Sequence, residues 1–494
     1  MKKDLWRKIT SYDYRYIVGF IVLGILTIVL AAYRFWDLPN GLTDSEIAAA
    51  TVSGQFSWSG LVTNFGEHAG WLINLPWTVL QNLSINLFGF STFAFRLPAV
   101  ILMILSIAGL MIIFCKWLKK NAAIVGGFLI VPSALFIGLS RNGDGSAMMI
   151  FLTVAMLFAS TIAINGKHEW ARLVAKIMTC VVIALLLYCP GGVYIIAILL
   201  IVGLLHPKTR LIFLKVEIWR LVVVGAVGLI VVSPLAISLF VGGHEFIGGL
   251  FLDRNWLIDN MPLFGSALTG VGTGFAGGFV TPIISVIGLI VALVGLIRIC
   301  AHFYSARSYL MLALLVPALM WSLFQPQFLY LLFVPLAILI AVGADVLSDE
   351  WYKLFPSNPY ARALASVLIA VLILVNGWTA TMRYIEANHY DEAVVYNYNQ
   401  EFEAVREKIG AGLTWMTKRH DPETLIVAPY QVEFYEILVS EFPDMDVKAK
   451  FSDSDKPTTI VLESADSEID SVIPIEIITN SRAKDSVLLR VYSK

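Results

Sequence analysis

Charge is scarce in this chain. Only 14% of its 494 residues are Asp, Glu, Lys or Arg, whereas 58% are hydrophobic. Soluble domains carry about a quarter charged residues, so the composition excludes an ordinary soluble protein and points to an integral membrane protein. Neither sign of charge dominates: 35 basic and 36 acidic residues give a formal net charge of −1, leaving no basic field to hold a nucleic-acid backbone. Cysteine is rare. Cys115, Cys180, Cys189 and Cys300 lie in or beside apolar stretches, at spacings that make neither a disulfide framework nor a CxxC metal pair. No Walker A loop is present, which excludes ATP as the energy source, and no nucleophile elbow appears. The apolar runs lack the buried Asp/Glu/Lys chain of a proton-coupled carrier, since Asp345 falls at the end of its run rather than at mid-depth. No internal repeat or low-complexity tract is visible.

What the chain does have is apolar sequence in long runs. A bilayer-spanning helix needs about 20 apolar residues. Runs near that length occur at 17–33, 97–114, 122–139, 146–164, 173–189, 191–205, 221–241, 279–297, 308–324, 328–344 and 363–378, so eleven spans are expected. The first follows a basic N-terminus, but Tyr33-Arg34-Phe35-Trp36 after Ala31-Ala32 does not read as a cleavage site, and the run is expected to be retained. Lys and Arg concentrate on the cytoplasmic side of membrane proteins. With the N-terminus inside, nineteen Lys/Arg fall in inner segments, including Lys116, Lys119, Lys120, Lys208, Arg210 and Arg307, against five outside: Arg34, Arg96, Arg141, Arg254 and Arg383. Counting 70–89 as a further span would move Lys116–Lys120 outside. That stretch carries Asn74, Pro76, Gln81, Asn82 and Asn86, and it reads as helices lying along the membrane surface.

Two outer segments and a tail complete the outline. The membrane module is expected to cover 1–384, with outer loops at 34–96 and at a glycine-rich 242–278. Residues 385–494 hold 21 Asp/Glu against 11 Lys/Arg and have soluble-domain texture. A polar helix at 394–410 and strand-like runs Thr424–Val427, Thr458–Leu462, Ile473–Ile478 and Val487–Tyr492 predict a small α/β domain. An odd number of spans puts it outside the cell.

The groups able to do chemistry sort to one face. Asp44, Glu46, Glu67, His68, Arg96, Arg141, Asp144, Tyr188, His244, Glu245, Asp253, Arg254, Gln325 and Gln327 all map to the outer side. Asp44 and Glu46 come first. One of them could act as a general base on an acceptor hydroxyl; equally, Thr43-Asp44-Ser45-Glu46 is a capping box for a helix starting there, and the two readings can coexist. His68 could contact a phosphate with Glu67 orienting it, or the pair could be merely solvated. Arg141 suits bidentate phosphate recognition or snorkelling at the membrane edge, with Asp144 three residues on. Arg96 reads as a helix-start anchor, and Arg254 beside Asp253 as a simple surface pair. His244-Glu245 supplies only two metal ligands where a zinc site takes three or four.

In this order and spacing, the motifs resemble the glycosyltransferase-C class of membrane enzymes, which take a sugar from a polyprenyl-phosphate carrier. The likeness is to the protein O-mannosyltransferase and aminoarabinose (lipid A) transferase branch, and it covers residues 15–380. It rests on the acidic Asp44-Ser45-Glu46 after the first span, on the Phe65–Asn74 segment with Glu67-His68, and on Leu87-Phe88-Gly89 and Arg96-Leu97-Pro98. Ser140-Arg141-Asn142-Gly143-Asp144, the Tyr188–Tyr194 turn and Gln327–Pro335 with Tyr330 complete it. Departures are the serine between the two acids, His68 in place of lysine, and Gln327-Phe328 in place of Arg-Tyr.

The resemblance implies an all-α polytopic membrane fold with a small extracytoplasmic C-terminal α/β domain. It implies transfer of a sugar from a lipid-phosphate donor to an acceptor hydroxyl, with inversion, in the cell membrane. Asp44 or Glu46 would be the catalytic base. Glu67, His68, Arg141, Asp144, Arg254, Gln327 and Tyr330 would contact donor phosphate or substrate. The carried phosphate is already a leaving group, so no cofactor and no metal is expected; the partners are the lipid-linked donor, a lipid, glycan or protein acceptor, and the bilayer. The competing readings are a lipid-linked sugar flippase, which calls for polar groups and broken helices near mid-membrane, and a non-catalytic scaffold.

Overall fold

The computed structural model describes residues 12–63, 69–165, 168–205, 207, 218–242, 256–272, 274–411, 424–440, 445–450, 458–465, 474, 476–479 and 487–493. Helices occupy all eleven apolar stretches. Among the described residues, five are long and apolar enough to cross a membrane by length and composition: Thr92–Trp117, Ser146–Ile164, Arg307–Phe324, Pro326–Leu354 and Ala363–Tyr390. Shorter apolar helices include Tyr16–Ala32, Gly192–Leu205 and Val286–Ala301. Their outward faces carry exposed Ile17, Ile21, Ile25 and Ile28 on the first helix and Leu364, Val371 and Leu374 in the first half of the long helix Pro359–Tyr390, the distribution a lipid-facing bundle requires.

Two expectations are corrected. The 122–139 stretch is not one helix: Lys120–Ile130 and Ala134–Leu139 are separated at Pro132. Proline has no N–H to give to the helix ladder, and Ser133 restarts it by accepting the Phe136 N–H at 3.2 Å. The 242–278 segment is more than a loop. It contains a helix, Trp256–Thr269, and β1 (Phe275–Ala276), which pairs with β2 (Phe279–Val280) at the start of the 279–297 run, where helix begins only at Val286. The helix buries Ser266 and Ala267 and ties Asn260 Nδ2 to the Phe324 carbonyl at 2.8 Å. Residues 243–255 lie outside the described residues.

The centre of the bundle is a crossing of Val286–Ala301 with Phe333–Leu354. A Cβ on Gly295 would lie 2.0 Å from the Leu339 carbonyl oxygen, and one on Gly343 would lie 1.9 Å from that of Val291. Small residues permit this approach where lipid supplies no hydrophobic drive between helices. Gly343→Val is expected to force the pair apart, because the clash is with backbone and no rotamer relieves it; loss of a monodisperse peak in detergent chromatography is the readout.

Leu75–Phe88, in the stretch read as surface helices, is amphipathic in an inverted sense. Trp77, Thr78, Gln81 and Ser84 face inward and are buried, while Leu83, Leu87 and Phe88 are exposed. A helix with that pattern belongs beside lipid on one side and a polar protein interior on the other.

The tail forms a five-stranded sheet of β3 (Thr424–Ile426), β4 (Asp446–Lys448), β5 (Thr458–Leu462), β6 (Glu476–Thr479) and β7 (Val487–Ser493) in the order β4-β3-β5-β7-β6. β3 runs parallel to β4 and β5, whereas β7 is antiparallel to β5 and β6. Helices Glu401–Ala411 and Val432–Val439 accompany it. The latter, and β4, were not foreseen from sequence. One face of the sheet shares its core with the first loop region: Leu425, Val427, Ile460 and Leu489 pack in one cluster with Leu42, Ile47, Ala50, Phe90 and Phe95, while Ile426, Val461 and Tyr492 form a small cluster within the tail. Rings of Phe90, Phe95, Phe402 and Phe434 meet there at centroid separations of 4.8 Å (Phe90–Phe95) and 5.2 Å (Phe402–Phe434). Leu42 and Asn399 exchange both backbone hydrogen bonds, at 2.8 and 2.7 Å, and Thr92 bonds Glu403.

Candidate active site

The helix Asp44–Gln55 begins as its sequence demands. Thr43 is extended (φ −81°, ψ 159°), and its hydroxyl accepts the Glu46 N–H at 3.2 Å while a Glu46 carboxylate oxygen accepts the Thr43 N–H at 3.0 Å. The capping box is therefore present. It does not exhaust Glu46. The same carboxylate takes Arg96 Nε at 2.8 Å and Nη2 at 3.0 Å, and the Gly143 N–H at 2.8 Å. Glu46 is 1% exposed and Arg96 0%.

This pair holds three segments together. The rest of the Arg96 fork donates to carbonyls of Phe35, Pro39 and Gly41, which fixes the turn after the first helix. Gln81 completes the clamp: its Oε1 accepts Ser53 Oγ at 2.7 Å, and its Nε2 donates to the Phe95 and Gly143 carbonyls at 3.1 and 3.0 Å. A buried ion pair is retained at the cost of desolvating both charges. Here the bonds beyond the pair itself reach backbone groups of Thr43, Phe35, Pro39, Gly41 and Gly143, so the pair specifies geometry.

The two acids of the motif thus differ. Glu46, read from sequence as a possible base, has both oxygens saturated in a buried cage. Asp44 stands exposed in the first turn of the same helix, beside exposed Ser45. Across from it lies the tail's Pro429–Gln431 turn. Partial burial, with the negative charges of Asp44 and Glu401, raises the Tyr430 hydroxyl above its ordinary range, which puts Tyr430 within electrostatic reach of Asp44.

The loop 140–145 forms the second wall. Arg141 is buried; its Nη2 donates to the Leu30 and Tyr33 carbonyls at 3.1 and 2.9 Å, its guanidinium lies 5.1 Å from the centre of the Tyr384 ring, and Nε and Nη1 have no hydrogen-bond partner. Asp144 caps the next helix, accepting the Ser146 N–H at 2.8 Å and Asn142 Nδ2 at 2.9 Å. Burial pushes the Asp144 carboxyl up, opposed by the bonds from Ser146. Gly145 has φ +91°, and a Cβ there would sit 2.1 Å from Asn74 Nδ2 and 2.9 Å from Trp77 Cγ. Gly145→Ala is expected to lower stability by about 1–3 kcal/mol through strain and overpacking, measurable as a lower melting temperature.

Of the other candidates, Tyr330 lies within electrostatic reach of Asp144; the rest are exposed or outside the described residues. Tyr330 is buried and donates to the Pro190 carbonyl at 3.3 Å. Gln327 is exposed and bonds Gln325 at 3.1 Å. Glu67, His68 and Arg254, with His244 and Glu245, fall outside the described residues. Among the described residues no group of three or more His, Cys, Asp or Glu is placed to hold a metal ion. Sequence reasoning assigned Arg96 to a helix start and did not see its carboxylate partner 50 positions away; Gln81, Tyr384 and Tyr398 were not singled out. Tyr398 lies near Glu46, and its hydroxyl is pushed well above the usual range by burial first and by the charges of its neighbours second.

Comparisons with known proteins agree on the architecture. Residues 75–237 match the family described as dolichyl-phosphate-mannose-protein mannosyltransferase. The structure is similar to ArnT from Cupriavidus metallidurans bound to undecaprenyl phosphate (TM-score 0.56, 12% identity, covering 96% of this chain and 98% of that one). It is also similar to the oligosaccharyltransferase AglB from Archaeoglobus fulgidus in complex with an inhibitory peptide and a dolichol-phosphate (TM-score 0.51, 12% identity, covering 91% and 70%). At these identities the likeness is one of fold. Among curated proteins, none matches.

Proposed function

We propose that this chain, a multi-pass membrane protein of the glycosyltransferase-C class, moves a sugar from a polyprenyl-phosphate donor to an acceptor hydroxyl on the extracytoplasmic side. The reading places the N-terminus in the cytoplasm and the acid cluster and the C-terminal α/β domain outside, as the Lys/Arg asymmetry demands. Undecaprenyl phosphate on ArnT and dolichol-phosphate on AglB support a lipid phosphate as the leaving group here.

The observation that carries the proposal is the division of labour between two acids two residues apart. Glu46 is locked to Arg96, Gly143 and Thr43, and Asp44 stands open to solvent at a position that this lock makes rigid. Asp44 takes the proton from the acceptor hydroxyl; the oxygen attacks the anomeric carbon, and the bond to the donor phosphate breaks on the opposite side, giving inversion. Glu46 is a positioning residue. The negative charge that develops on the departing phosphate needs donors aimed at it. Arg141, whose Nε and Nη1 have no hydrogen-bond partner among the described residues, is suited to supply them, with His68 and Arg254 assigned the same task from sequence. Asp144, by capping the helix that follows, keeps Arg141 in place. Tyr430 marks where the acceptor enters, between Asp44 and the tail.

The test is to incubate purified protein in detergent with polyprenyl-phosphate sugars of several kinds and a hydroxyl acceptor extract, and to measure released polyprenyl phosphate. Release from one donor, abolished by Asp44→Asn, is the expected result; no release from any donor would refute the reading. The leaving group needs no metal to make it labile, so turnover is expected to persist in excess EDTA. A fall to background that Mg²⁺ or Mn²⁺ restores would overturn that expectation.

A further inference from the structure

We propose a second lipid site, separate from Asp44, that holds the phosphodiester headgroup of a bilayer phospholipid at the membrane rim. A cavity of about 240 Å³ lies between the start of Val286–Ala301 and the late turns of Pro359–Tyr390, lined by Asn376, Thr379, Arg383, Ser285, Val286 and Pro282 among others. Asn376 is 3% exposed, and its Nδ2 has no hydrogen-bond partner. A buried amide donor left unmade costs desolvation with nothing in return; at the wall of a cavity it asks for an acceptor.

Three further features point to an anion. Arg383 is exposed at the cavity, anchored only by a 3.5 Å contact from Nη2 to the Gly270 carbonyl. The N-terminus of the 16-residue helix Val286–Ala301 opens onto the same space, with Ser285 as its cap accepting the Gly288 N–H at 3.1 Å. Its first-turn N–H groups, at Val286 and Ile287, precede the first intrahelical bond, Leu289 N–H to the Ser285 carbonyl, and such groups favour negative charge. Among the described residues the lining contains no carboxylate.

One guanidinium and otherwise neutral donors match a single negative charge, that of a phosphodiester. Tethering of the ligand to lipid follows from the surroundings. Val286, Ile290 and Leu293 on one helix and Val371, Val375 and Trp378 on the other are exposed apolar residues running away from the cavity, a track for acyl chains. The site adjoins the catalytic cluster through Tyr384, which lines the cavity and stacks on Arg141. A resident lipid would hold the Tyr384 side of Arg141 in place.

Native mass spectrometry from detergent micelles tests this directly, without recourse to the transferase activity. Phosphatidylglycerol is expected to be retained on the wild-type protein and dioleoylglycerol, which lacks the phosphate, is not; soluble glycerol phosphate should not displace it. Arg383→Gln and Asn376→Leu are each expected to reduce the retained lipid about tenfold, the loss of one hydrogen bond to a charged group. Asn376→Leu removes a buried donor without a partner, so it should fold with a melting temperature close to wild type. Equal retention of dioleoylglycerol, displacement by glycerol phosphate, or undiminished binding by a correctly folded double variant would overturn the proposal.

Discussion

Asp44→Asn is expected to lower sugar transfer about 10²–10⁴-fold, the usual contribution of a positioned general base, while the melting temperature stays within a degree or two of wild type. Asparagine keeps the volume and polarity of the side chain. The residue is exposed and makes none of the bonds that hold the helix start, since those belong to Thr43 and Glu46. Donor binding should survive, because the phosphate contacts lie elsewhere, so the loss should fall on kcat rather than on KM. Steady-state release of polyprenyl phosphate, together with a thermal melt of the same preparation, makes the measurement. A variant that keeps more than half its turnover would remove Asp44 from the mechanism.

Glu46→Gln, two residues away, is expected to do the opposite first. It leaves the Arg96 guanidinium fully buried without a counter-charge, and removing one partner of such a pair costs about 3–5 kcal/mol. That is a large share of a marginal stability of about 5–15 kcal/mol, so the variant should accumulate poorly and melt early. Its activity loss should scale with unfolding. The double variant Glu46→Gln/Arg96→Met is expected to be less destabilised than the sum of the single changes, since both charges leave together. Additive single effects would show that the pair does not act as a unit. Adjacent members of one short motif should therefore separate cleanly, Asp44 by rate and Glu46 by stability.

The bundle was largely legible because lipid imposes a simple rule: uninterrupted apolar length becomes helix. Each of the eleven runs carries helix; the 122–139 run breaks at Pro132, where the chemistry of proline predicts it, and the 279–297 run opens with β2 and becomes helix at Val286. The strands Thr458–Leu462 and Val487–Ser493 were also visible as β-branched runs. The capping box was readable for the same reason, as it is written within four residues. The partnership of Glu46 with Arg96 was not readable. Arg96 precedes Leu97-Pro98 at the head of an apolar helix, where an arginine ordinarily reaches for head groups, and nothing local distinguishes one that turns inward instead. Gln81 was hidden likewise, because a glutamine among Asn82 and Asn86 suggests a wet face, whereas the helix buries Gln81 and exposes Leu83 and Leu87. The short strand Asp446–Lys448 was missed because Asp and Lys are poor strand formers; it exists as a parallel edge beside β3.

The ladder rung between Leu42 and Asn399 also constrains how the polypeptide threads the bilayer. Two backbone segments that share hydrogen bonds occupy the same aqueous compartment, so the chain must traverse the membrane an even number of times between them. Ten apolar runs separate residues 42 and 399, which meets that parity without reference to any lysine or arginine. An additional lone crossing at 70–89 would break it.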